Sequence, residues 1–270
     1  MRLAAKSIRQ FLEDPGVIEI MCNRPGEIFT EKVGVEYMRR YEIPELTREA
    51  IEELAYRVAA TSNQYVSDES PLLSAAMPNG ERFQAVLYPA AYDGGAFSIR
   101  KKVIKNMSLE DYLDRGGFDH VRVTGPTQPV PREALTPEDI ELSDILCDDT
   151  PRGRLRALAF CFENRLTSAI SGGTSSGKTT LFNAALKKIP SWERFTTIED
   201  TPELDPEQPN RVRLIASKGD QGRAKVTVQN LLEAVLRMRP DRLYLGEIRG
   251  AEAFTFLQGV NTGHPGSCAT

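Results

Sequence analysis

Residues 166–188 read LTSAISGGTSSGKTTLFNAALKK, and this stretch decides the fold. Leu166, Ala169 and Ile170 form a short apolar run that suits a buried strand. Gly172-Gly173-Thr174-Ser175-Ser176-Gly177-Lys178-Thr179 then matches G-x-x-x-x-G-K-[ST]. From Thr180 to Lys188 the sequence reads as a helix, with Leu181, Ala184, Ala185 and Leu186 on an apolar stripe. Strand, glycine-rich loop and helix in that order describe a phosphate-binding loop. Gly172, Gly173 and Gly177 let the backbone bend and approach phosphate oxygens with no Cβ in the way. Amide N–H groups from Thr174, Ser175, Ser176, Gly177, Lys178 and Thr179, with Thr180 opening the helix, can point at an anion. Lys178 brings a fixed positive charge to the β- and γ-phosphates, and the Thr179 hydroxyl can meet a magnesium ion. ATP and Mg2+ are the implied ligands.

Working outward, 270 residues suit two domains rather than one. Hydrophobic residues make up 40% and charged residues 27%, the balance of an ordinary globular protein. The net charge of −4 speaks against non-specific nucleic-acid binding as the main activity. No apolar run reaches the roughly 18 residues of a membrane helix. At the N-terminus, Lys6, Arg9 and Gln10 interrupt any signal-peptide core. Cys22, Cys147, Cys161 and Cys268 are scattered without C-x-x-C spacing, which points to a reducing cytoplasm rather than a metal or disulfide framework.

The N-terminal half reads as an α+β domain with a mostly antiparallel sheet. A helix runs to about residue 12 and stops before Asp14-Pro15-Gly16. Strands are expected over 17–21, 27–31 and 35–41, and a helix from Thr47, with Ile51, Leu54, Ala55 and Val58 on one face. Residues 72–77 and 82–87 flank Pro78-Asn79-Gly80 as a hairpin, and 96–100 form a last strand. Arg82 and Arg100 sit on strands, where an arginine is ordinarily solvated or paired. A capping box at Ser108 starts a short helix. The proline-bearing stretch 118–135 reads as a linker, so the expected division is a domain over 1–117, a linker over 118–135 and a second domain over 136–270. Thr136-Pro137 and Thr150-Pro151 each announce a helix.

After the phosphate loop, strands and helices alternate, which predicts a mostly parallel sheet covered on both faces. Expected strands are 194–198, 211–216 and 242–245, with helices over 227–238 and 251–260. Glu199, Glu247 and His264 are expected at strand ends or turns along the rim where such sheets bind ligands. Two carboxylates there can hold magnesium and orient or deprotonate the attacking water, and His264 can sense the γ-phosphate.

Four blocks in order, GGTSSGKTT, TIEDTPEL, RMRPDRLYLGEIRG and NTGHPGS, resemble a known family. It is the hexameric ATPases of bacterial type II and type IV secretion and conjugation, a branch of the RecA-like NTPases. GERFQAVL and FSIRK in the N-terminal half look like that family too. The sequence is similar to its soluble VirB-class members and lacks the C-x-x-C element often seen on the type II side. The resemblance implies a RecA-like second domain and phosphate and magnesium binding by Lys178 and Thr179. It implies that Glu199 of the Asp box and Glu247 of the Walker B block share metal and water activation. It gives His264 the coupling of γ-phosphate to movement, and makes Arg82 and Arg100 phosphate ligands. It further implies a homo-hexamer, cytoplasmic and peripheral at the inner membrane, working with other secretion components. Family members continue for further helices beyond the point where this sequence stops, at Cys268-Ala269-Thr270, so a truncated C-terminus is expected.

Three other readings compete with a secretion motor. A DNA translocase or helicase would share the core, but the acidic balance and the absence of basic and aromatic interleaving speak against it. A nucleotide-gated scaffold would bind ATP and hardly turn it over. A small-molecule kinase lacks an identifiable acceptor site.

Overall fold

The structure, a computed structural model, describes residues 4–101, 107–125, 130–173, 176–217, 226–248 and 250–270. The chain forms two compact units. Met1–Val103, with Asp200–Pro202 and Ala216–Thr227, makes the first; Ile104–Glu199, Glu203–Ile215 and Val228–Thr270 make the second.

The first unit runs α1 (Ala4–Glu13), β1 (Val17–Cys22), β2 (Glu27–Lys32), β3 (Arg39–Glu42), α2 (Arg48–Thr61), β4 (Leu72–Ala76), β5 (Arg82–Val86) and β6 (Ala96–Arg100). Its six strands are ordered β3-β2-β1-β6-β5-β4, each pair antiparallel. Alternation puts Leu73, Ala75, Phe83, Ala85, Phe97 and Ile99 on the buried face. Against it α2 lays Ile51, Leu54, Ala55, Val58 and Ala59, and the Thr47 hydroxyl caps that helix at the Ala50 amide. The expected hairpin at Pro78-Asn79-Gly80 is present: Gly80 has φ +90°, and the Met77 amide bonds the Glu81 carbonyl at 2.8 Å. β3 starts at Arg39, not at residue 35, because Gly34 (φ +74°) opens a turn that leaves Tyr37 and Met38 exposed.

The second unit contains α3 (Leu109–Asp114), α4 (Pro137–Leu146), α5 (Pro151–Glu163), β7 (Ser168–Ala169), α6 (Lys178–Leu186), β8 (Phe195–Glu199), β9 (Arg211–Ile215), α7 (Val228–Val235), β10 (Arg242–Leu245), α8 (Glu252–Asn261) and β11 (Cys268–Ala269). The capping box at Ser108 forms with Asp111, and Thr136 and Thr150 cap α4 and α5. All five strands are parallel, in the order β7-β11-β10-β8-β9. β8 and β10 are buried along their whole length, as a parallel sheet covered on both faces requires. Phe195 and Tyr244 pack toward Phe162, Phe182 and Leu186 of α5 and α6, whereas Ile198, Leu243 and Leu245 pack toward Leu232, Val235 and Phe256 of α7 and α8. Each fully buried phenylalanine here contributes about 2–3 kcal/mol of transfer free energy.

Two further features depart from the sequence reading. β11 is a two-residue strand wedged between β7 and β10, too short to carry a periodic signal. α3 groups with the second unit rather than with residues 1–117, since Leu109 and Phe118 fill a cluster with Leu155, Ala159 and Ala184.

Candidate nucleotide site

In a parallel sheet the turns after strands all fall at one rim, and ligands bind there. β7 delivers the phosphate loop to that rim. Gly177 has φ +87° at the N-cap of α6, a backbone region that glycine enters without penalty. A Cβ on Gly172 would lie 2.8 Å from Ser176 Oγ and 3.3 Å from Lys178 Cγ, so a side chain there would have to displace those two side chains. Lys178 Nζ donates to the carbonyls of Gly172 (2.6 Å) and Gly173 (2.8 Å) and closes the loop on itself. Thr179 and Thr180 lie in the first turn of α6, where helical amides have no partner within the helix. Thr174 and Ser175 lie outside the described residues.

β8 and β10 deliver carboxylates to the same rim. Glu199 ends β8 and is 3% exposed; its Oε1 accepts the amides of Glu203 and Leu204, both at 2.8 Å. Gly246, just past β10, bonds the Ile198 carbonyl through its amide at 2.8 Å. A Cβ at Gly246 would come 3.0 Å from Glu199 Cγ, so glycine is what lets the two strand ends close together. Glu247 follows, exposed, and the Ile248 amide and Gly246 carbonyl are tied to Thr270.

The side chain that meets the phosphate loop is one the sequence reading missed. Thr179 Oγ1 donates to Glu203 Oε2 at 3.1 Å. Glu199 engages the backbone of the 203–204 turn instead, and Glu203 presents its carboxylate to the hydroxyl expected to meet a metal. Asn183, one turn along α6 from Thr179, donates from Nδ2 to the Glu203 carbonyl (3.1 Å) and accepts the Asp205 amide at Oδ1 (2.8 Å). The signal was available in part: an i, i+4 spacing puts Thr179 and Asn183 on one helix face.

A magnesium ion carried by a nucleotide fits what is present. Thr179, Glu203 and Glu199 offer only oxygen donors, two of them carboxylates, which is the donor chemistry a small hard dication takes.

His264 is not brought to this rim. Its Nδ1 lies 2.9 Å from the Pro240 carbonyl, just before β10 begins. Ser267 Oγ donates to the His264 carbonyl and accepts the Leu243 amide, clipping the turn to the base of β10. The reason is topological: α8 leaves the far end of β10 and runs back, so any turn that enters β11 must sit at the strands' N-terminal ends. Arg82 and Arg100 belong to the first unit, where they are direct cross-strand partners on β5 and β6. Arg100 Nη2 also lies 3.4 Å from Glu19 Oε2 on β1.

Residues 134–270 match the model of the family described as type II/IV secretion system protein. Over 97% of its length the chain is 41% identical to the type IV secretion system protein VirB11 of Bartonella quintana (strain Toulouse), spanning 74% of that protein. It is 36% identical over its full length to Protein VirB11 of Agrobacterium fabrum (strain C58 / ATCC 33970), spanning 76% of it. Among solved structures it shares the fold of the pilus retraction motor PilT with bound ADP, with a TM-score of 0.58 at 18% identity, over the whole of this chain and 67% of that one. The chain therefore belongs to the type II/IV secretion system protein family, with VirB11 proteins among its relatives, and carries that family's P-loop ATPase fold.

Proposed function

We propose that this protein is the ATP-hydrolysing motor of a type IV secretion or conjugation machine, transporting protein or DNA–protein substrates. One observation carries the reading: the phosphate-loop hydroxyl of Thr179 meets the carboxylate of Glu203 at the ligand-binding rim. Lys178 leaves its two loop carbonyls for the β- and γ-phosphates, and the amides at the start of α6 hold the same oxygens. Thr179, Glu203, Glu199 and Glu247 would hold a magnesium ion, which when bound would supply positive charge to the phosphate oxygens. Glu203 or Glu247 orients the attacking water and accepts its proton, and Glu199 keeps the 203–204 turn in place. Phosphoryl transfer asks mainly for positioning and charge, which is what these groups supply. Arg82 and Arg100 are proposed as further phosphate ligands, paired guanidinium groups being suited to bidentate contact.

By the same reading the working form is a homo-hexamer docked on inner-membrane components at the cytoplasmic face. No helix among the described residues is long and apolar enough to cross a membrane, which agrees with docking rather than spanning. The test is steady-state phosphate release by the wild type and by Glu203→Gln, with native mass measured in parallel. The reading expects magnesium-dependent turnover from a six-subunit species and loss of turnover in the variant. Equal turnover in both would take Glu203 out of the chemistry, and a wild type without magnesium-dependent turnover would overturn the reading. Arg82→Ala and Arg100→Ala should each lower turnover with the fold intact; unchanged rates in both would remove the arginines from the account.

A further inference from the structure

The irregular segment 203–205, called a turn for its place between β8 and β9, is held by side chains from three elements. β8 supplies Glu199, whose Oε1 takes the amides of Glu203 and Leu204 at 2.8 Å each. α6 supplies Asn183, which takes the Asp205 amide at 2.8 Å and gives a hydrogen to the Glu203 carbonyl at 3.1 Å. β9 supplies Arg213, whose Nη2 donates to the Leu204 carbonyl at 2.7 Å. All three amides and two of the three carbonyls of this turn are thereby bonded to side chains, none to a strand or helix ladder. Such a turn has no conformation of its own to fall back on. It carries the Glu203 carboxylate to Thr179 Oγ1.

Asn183 stands out because it shares a helix with the phosphate loop. Thr179 and Asn183 are one turn apart, so the residue that meets the phosphates and the residue that docks the acidic turn move as one body. We propose that Asn183 is a positioning residue for ATP hydrolysis: with Arg213 as its counterpart on β9, it holds Glu203 against Thr179. This rests on the motor reading above and adds to it the residues that keep the acidic group in register with the phosphate loop. Neither residue touches nucleotide; both act through Glu203.

The experiment compares the full chain with Asn183→Ala, Arg213→Ala, Arg213→Lys and, as a control, Lys178→Ala. Three readouts are taken: kcat and KM for phosphate release, the ratio of Kd values for a fluorescent ATP analogue in magnesium and in EDTA, and Tm. For Asn183→Ala the expectation is a fall in kcat of about 10–100-fold, the size seen when a group that orients a ligand is lost. KM should hold within about twofold, and magnesium should strengthen analogue binding less than it does in the wild type. Arg213→Ala should fall in the same direction, and Arg213→Lys should recover part of the rate by keeping a donor for Leu204. A merely structural role would lower Tm and leave kcat per folded molecule and the magnesium effect unchanged; that result overturns the proposal. Should the wild type turn over and Lys178→Ala abolish it while Asn183→Ala matches the wild type, this inference fails and the motor reading stands. A wild type without turnover would remove both.

Discussion

The two rims of the parallel sheet carry similar residues and do opposite things with them. At the C-terminal rim, Glu199 accepts the amides of Glu203 and Leu204, and Glu203 accepts the Thr179 hydroxyl. At the N-terminal rim, Arg242 is 0% exposed and pairs with buried Glu193 through Nε and through Nη2 (3.2 Å). Arg242 also donates to the carbonyls of Phe162 and Glu163 at the end of α5. Arg165 reaches the same Glu193 at 3.0 Å, and Asp241 accepts the Arg194 amide at 2.7 Å. Charge is cancelled at one rim and arranged around loops at the other. Composition cannot separate the two; position relative to strand direction can.

That contrast can be broken by mutation. The largest effect on stability is expected from Glu193→Ala, which leaves Arg242 buried without its counter-charge. The cost should be about 3–5 kcal/mol in urea unfolding, with nucleotide affinity per folded molecule unchanged. A loss below about 1 kcal/mol would mean that the pair is not the anchor it looks to be. Lys178→Ala should invert the pattern, with kcat/KM down by about 10²–10³-fold and little change in unfolding midpoint. Nearly normal turnover in this variant would move the site away from the phosphate loop. His264→Ala removes one hydrogen bond to the Pro240 carbonyl and should cost about 1 kcal/mol, with kcat within about twofold of wild type. A collapse of kcat would return His264 to the chemistry.

The smallest effect belongs to an exposed pair, Glu110 on α3 and Lys188 after α6, 2.8 Å apart. The hydrogen bond from Lys188, with help from its own backbone amide, holds the Glu110 carboxyl below the usual glutamate range. A carboxyl lowered in the folded state adds stability above its unfolded pKa and loses it as pH falls through the folded value. Glu110→Gln should therefore cost about 0.5 kcal/mol or less at neutral pH and flatten the acid side of the stability curve slightly. An unchanged acid side would show that solvent screens the pair completely.

Much of this was legible in the sequence because the signals are local. The phosphate loop, the capped starts of α4 and α5, the hairpin at Asn79-Gly80 and the buried strands β8 and β10 all announce themselves within a dozen residues. What escaped depends on where distant segments meet. Glu203 and Asn183 are 20 residues apart, and only the docking of the turn on α6 joins them. β11 is too short to show a period, and without it the direction in which the His264 turn enters the sheet is hidden. Leu109 reads as one apolar residue in a short helix until its burial against Ala184 assigns α3 to the second unit.

Nucleotide chemistry belongs to one rim and structural pairing to the other, a division open to direct test. Hydrogen exchange of the wild type, with and without magnesium and a non-hydrolysable ATP analogue, reads both rims at once. Amides of 176–183 and 203–205 should slow markedly on binding, while those of 192–194 and 262–267 stay as they were. Protection concentrated at 262–267, with 203–205 unaffected, would contradict it.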